Sequence, residues 1–125
     1  MSQTDFIDLF NAFPDWQERY RYIIELGELL PTMPDNLKIP ENRVLNCPSV
    51  LYFHISFNPI IFIQADGNSP VSLGLAGLLA HLFNGLTREE MTAQSCNFYI
   101  DTRLIENLSI HRKNALIFMW DKLRR

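Results

Sequence analysis

The stretch that decides the architecture is Ser49-Val50-Leu51-Tyr52-Phe53-His54-Ile55-Ser56-Phe57, Asn58-Pro59, Ile60-Ile61-Phe62-Ile63-Gln64-Ala65, Asp66-Gly67-Asn68-Ser69-Pro70. Two runs rich in β-branched and aromatic residues, split by Asn58-Pro59, read as a β-hairpin over Ser49 to Phe57 and Ile60 to Ala65. The polar cluster that follows ends the hairpin and starts a helix. Ser69 is placed to accept from early backbone N–H groups as N-cap, and Pro70 supplies the preset φ of a first helical position. The helix is expected from Pro70 to about Asn84. Its Gly74, Ala76, Gly77 and Ala80 allow close backbone approach, while Leu75, Leu78, Leu79, Leu82 and Phe83 supply bulk, as a central buried helix requires.

Toward the N-terminus, Phe6, Leu9, Phe10 and Phe13 recur at helical spacing until Pro14, which pushes its predecessor out of the α region. A second, amphipathic helix spans Trp16 to Leu30. Pro31, Pro34 and Pro40 then punctuate an irregular stretch to Val44, long enough to be either functional or mobile. Toward the C-terminus, Thr87-Arg88-Glu89-Glu90 is a capping box with Leu86 and Met91 as its hydrophobic staple. Phe98 to Ile100 is ambiguous between strand and loop, Thr102 to Asn107 reads as one or two helical turns, and Ile110 to Arg124 as a final helix. Helices, a small antiparallel sheet and further helices make an α+β fold in one domain, residues 1–125.

With 11 basic against 14 acidic side chains and 47% hydrophobic residues, the chain has neither the charge of a disordered segment nor a basic stripe for nucleic acid. Its most apolar stretch, Leu73 to Leu79, is too short for a membrane span, and the N-terminus reads as helix instead of a targeting segment. The two cysteines, Cys47 and Cys96, form no CxxC pair, which points to a reducing, cytoplasmic setting.

Cys47 is the residue with most chemistry to offer. Pro48 holds it extended, and Asn46 before it tolerates a left-handed backbone, so the two suggest a shaped turn that presents the thiol. The alternative is a small buried hydrophobe, the usual fate of a free cysteine, and Cys96 is read that way. A thiol hydrolase pairing Cys47 with His54, His81 or His111 needs those groups to meet in space, and no motif supports any of the three. The scattered histidines and cysteines follow no metal-ligand spacing.

Asn42, Val44, Cys47 and Ser49 resemble the active-cysteine loop of the SufE family of sulfur acceptors, roughly Asn-x-Val-x-Gly-Cys-Gln-Ser before an apolar strand. Trp16, Arg19, Tyr20, Ile23, Leu26, Gly27, Leu30 and Pro31 resemble its Trp-x-x-Arg-Tyr helix. Asp66 with Gly74-Leu75 resembles its Asp-Ser-Asp turn and Gly-Leu helix, and Leu108-Ser109 with Arg112 its terminal Leu-Ser-x-x-Arg. Together the four pieces cover roughly residues 6 to 123. Against that pattern, Asn46 replaces a glycine, Asn68 an aspartate, Leu51-Tyr52 a Val-Trp, and Pro48 a glutamine. The last change removes a side-chain amide and a backbone N–H.

The resemblance implies a SufE/NifU-like fold in which Cys47 is the persulfide acceptor. The sulfur would come from a pyridoxal-phosphate cysteine desulfurase and pass to a downstream Fe-S scaffold or other acceptor, with no cofactor in this chain itself. Arg43 and Arg112 are candidate cations for the thiolate, although Arg43 also reads as a solvated side chain and Arg112 as a structural partner. By the same resemblance the thiol rests in an apolar shelter, for which Leu45, Val50 and the glycine-containing helix are the candidates. Pro48 keeps open a second role, a desulfurase-binding module without sulfur transfer.

Overall fold

A computed structural model describes all residues, Met1–Arg125. The chain begins with helices α1 (Gln3–Ala12) and α2 (Trp16–Glu28), capped by the Ser2 hydroxyl and the Asp15 carboxylate. Phe13, before Pro14, is extended as expected. Arg19 closes the corner: it donates to the carbonyls of Phe10, Asn11 and Phe13, and its guanidinium lies 4.9 Å from the Trp16 ring centroid. Two carbonyls of the last turn of α1, those of Phe10 and Asn11, thereby gain a side-chain partner. Tyr20 of the same helix donates to the Asn107 carbonyl, tying α2 to the C-terminal third.

The stretch from Leu30 to Val44 is an ordered connection with two 3₁₀ turns, Asp35–Leu37 and Pro40–Asn42. Asn42 is buried and donates to the Leu37 carbonyl at 2.7 Å, so one side chain holds both turns. Lys38 pairs with Asp35 at 3.2 Å and with Asp66 at 3.0 Å, fastening this stretch to the turn beyond the hairpin.

Strands β1 (Leu51–Phe57) and β2 (Ile61–Gly67) pair antiparallel, with Leu51 opposite Gly67 and Phe57 opposite Ile61. Period-two alternation puts Leu51, Phe53, Ile61, Ile63 and Ala65 on the buried face. Helix α3 (Pro70–Phe83) follows, with Ser69 and Pro70 in the roles read from the sequence. It packs on α2, both strands and α6 (Ile110–Leu123). A Cβ on Gly74 would sit 2.4 Å from the Ile23 carbonyl oxygen, and one on Gly77 2.4 Å from that of Leu26. Only glycine permits this crossing, and α3 is the central helix the sequence predicts.

The capping box forms both of its bonds at the start of α4 (Arg88–Thr92). Phe98 to Ile100 is neither strand nor loop but part of a one-turn helix, α5 (Asn97–Ile100). So short a segment carries no periodicity. Tertiary contacts hold it: Gln3 accepts from the Phe98 N–H and donates to the Ser95 carbonyl, and the Phe98 ring packs on Phe83 and Trp120 with centroids 5.7 and 5.3 Å away. Between Thr102 and Asn107 the only helical turn is 3₁₀, Ile105–Asn107. No helix is long and apolar enough to cross a membrane.

Candidate functional site around Cys47

The segment from Val44 to Leu51 is a loop drawn shut at its base. Arg43 bridges to Tyr52, and the Val44 N–H donates to the Leu51 carbonyl at 2.9 Å. Asn46 turns the chain at φ 61, the left-handed conformation its residue type tolerates. A second tie comes from the turn before α3: the Val50 N–H donates to the Asn68 side-chain oxygen and the Asn68 N–H to the Val50 carbonyl, each at 3.1 Å. Asparagine thus supplies the acceptor an aspartate would have supplied.

Cys47 is half-buried, packed on the edge of the core and facing a groove of about 340 Å³. The loop contributes Cys47, Pro48 and Ser49 to this groove, α3 contributes Ser69 and Ser72, and α6 contributes Ser109, His111 and Arg112. Ser69 and Ser109 are the N-caps of their helices, so the N-terminal ends of two 14-residue helices border the groove that Cys47 lines. Helix N-termini carry partial positive charge and favour anions. No carboxylate lines the groove.

This departs from the apolar shelter. Leu45 and Val50 are exposed, at 58% and 37%, and Gly74 and Gly77 face α2 instead of the thiol. The glycine-containing helix does reach Cys47, but through its polar first turn.

The candidate cations separate. Arg43 is not solvated: it is half-buried, its guanidinium lies 5.7 Å from the Tyr52 ring centroid, and its Nε is sealed without a partner. It shapes the base of the loop and does not line the groove. Arg112 is exposed and lines the groove; its backbone N–H donates to Ser109 Oγ, but its guanidinium forms no ion pair, so its side chain is not the structural partner expected.

Of the three histidines, only His111 shares the groove with Cys47. It lies in the exposed first turn of α6, and no third group is placed beside it to complete a hydrolytic triad. His54 lies 3.4 Å from Asn42 Oδ1 on β1. His81, on the other end of α3, lies about 13 Å along the axis from Ser72. Burial, then the N-terminal ammonium, hold its imidazole below the usual range. Cys96 precedes α5 and touches Tyr99, whose ring packs on Trp120 near the C-terminal end of α6. Cys47 faces the other end of that helix, so the thiols do not meet. No cluster of three His, Cys, Asp or Glu side chains has a metal-binding arrangement.

Sequence reading missed Ser72. It names Ser69 as a cap and Ser109 as part of a motif, yet nothing along the chain signals that the first turns of α3 and α6 converge on one loop.

The family model described as "SufE: Fe-S metabolism associated domain" matches residues 4–125. The chain is 33% identical to an uncharacterized SufE-like protein of Rhizobium etli, covering 98% of this chain and 87% of that protein. It is 30% identical to another from Rhizobium meliloti, covering 98% and 92%. It is also 33% identical to the chloroplastic quinolinate synthase of Nicotiana tabacum over 70% of this chain but only 12% of that protein. The solution structure of a hypothetical protein from Thermus thermophilus superposes with a TM-score of 0.80 at 20% identity, covering 99% of this chain and 93% of that one. The fold is therefore shared, and the chain belongs to the SufE family, associated with Fe-S metabolism.

Proposed function

We propose that Cys47 accepts a sulfane sulfur from the persulfide of a pyridoxal-phosphate cysteine desulfurase and carries it toward iron-sulfur cluster assembly. The Cys47 thiolate attacks the terminal sulfur of the donor's persulfide. A new S–S bond forms at Cys47 Sγ, the donor's own S–S bond breaks, and its electron pair leaves with the donor's sulfur as a thiolate. The terminal sulfur keeps its proton through the exchange and loses it to water afterwards. No outside oxidant or reductant is needed, because the sulfane sulfur only changes holders.

The observation that carries this reading is a half-buried thiol on a loop tied at its base, lining a groove that it shares with two helix N-termini and no carboxylate. The exchange needs a reachable sulfur nucleophile and close contact with the donor protein, and the loop and its open groove offer both. Pro48 lacks an N–H, but the serine hydroxyls and Arg112 offer other donors. The exposed Leu45, Val50 and Ile110, each close in sequence to a groove residue, offer apolar contact to a protein donor.

The test is to incubate the protein with a cysteine desulfurase and cysteine and to measure its intact mass. One added sulfur atom, absent in Cys47→Ser, is expected. Binding and stimulation of the desulfurase with no sulfur added would make the chain a desulfurase-binding module and overturn the carrier role.

A further inference from the structure

Ser72 is the groove residue that helix building leaves unexplained. It is only 2% exposed, and its backbone N–H is used by the Ser69 cap, but its hydroxyl bonds to no group of the protein. Two side-chain polar atoms are sealed from solvent without a partner, Arg43 Nε and His81 Nε2. Ser72 Oγ is not one of them, so it keeps a sliver of surface, and the surface Ser72 lines is the Cys47 groove. A nearly buried hydroxyl without a protein partner costs stability unless something else accepts its proton. The groove favours an anion: it joins two helix N-termini and Arg112, and it contains no carboxylate.

We propose that Ser72 and the converging first turns of α3 and α6 form an anion hole for the terminal sulfur of a Cys47 persulfide. The proposal rests on the sulfur-carrier reading of Cys47. A persulfide is more acidic than the thiol it derives from, so its terminal sulfur is anionic at neutral pH. The Ser72 hydroxyl donates to that sulfur and holds it in the groove, away from water and small thiols. Ser72 is a positioning residue for the loaded state, which explains why its hydroxyl is idle in the unloaded protein. Polar capture takes the place of an apolar shelter, and it suits a cargo that carries charge.

The test loads the purified protein with inorganic polysulfide, without a desulfurase, and follows the loss of the added sulfur from Cys47 by mass in the presence of glutathione. Ser72→Ala is expected to lose it about tenfold faster, in line with loss of a hydrogen bond to a charged group. The near-ultraviolet absorbance of its persulfide anion should also appear at higher pH, with thermal unfolding little changed. Ser72→Thr, which keeps a hydroxyl, should return toward the parent lifetime. Equal lifetimes and titrations in parent and Ser72→Ala, or no loading of Cys47 by polysulfide, would overturn the anion hole. Equal lifetimes with normal loading from a desulfurase would remove the hole and leave the carrier role standing. A Ser72 effect on polysulfide-loaded protein, with no loading from any desulfurase, would support the hole and remove that role.

Discussion

Cys47 and Cys96 are both half-buried free thiols packed against the core, yet their surroundings are opposite. Cys47 lies on a tied loop among hydroxyls, helix N-termini and a guanidinium. Cys96 lies against Tyr99 at the other end of α6. Burial does not tell them apart. The groups that face the sulfur do, and these are set by which helix ends the fold brings to each loop.

The largest effect should come from exchanging the cysteines for serine one at a time. With a desulfurase and cysteine, Cys47→Ser should lower sulfur loading by a factor of about 100 or more, since the nucleophile itself is gone. Cys96→Ser should stay within about twofold of the parent by the same measurement. Equal losses would erase the distinction.

At the Cys96 end, burial and then a hydrogen bond with Cys96 push the Tyr99 phenol up to about 12 from 10.0. The folded protein therefore holds this proton where the unfolded chain releases it. Tyr99's contribution to stability is full below pH 10 and declines as pH rises toward 12. In Cys96→Ala the phenol should ionise at lower pH, followed by its ultraviolet absorbance. An unchanged titration would show that Cys96 is not Tyr99's partner.

Asn68→Ala removes the acceptor for the Val50 N–H and loosens the Cys47 loop. A loss of about 1 kcal/mol in denaturant unfolding is expected, with alkylation of Cys47 made faster and that of Cys96 unchanged. The smallest effect belongs to Arg112→Gln. An exposed charge contributes at most about 1 kcal/mol, so alkylation of Cys47 should slow by about fivefold at most in low salt, and less in high salt.

Most of the frame was legible because its signals are local. Pro14 stops a helix, Ser69-Pro70 starts one, Thr87 and Glu90 close a capping box, and Asn46 takes the left-handed turn its chemistry allows. Gly74 and Gly77 announced a close crossing, although not the carbonyls of Ile23 and Leu26 that they meet. α5 was illegible because one turn held by Gln3 and Trp120 has no pattern of its own. At the site, Cys47 stood out through its neighbours in sequence, while Ser72 and the polar groove did not. The apolar shelter expected from Leu45 and Val50 failed because both residues are exposed, and the groove wall facing the loop comes from the distant starts of α3 and α6.

The most direct measurement is peptide-resolved mass mapping of the unaltered chain after a short exposure to a cysteine desulfurase and cysteine. The added sulfur is expected on the peptide containing Cys47 and none on the peptide containing Cys96. Sulfur on Cys96 first, or equally on both, would contradict it.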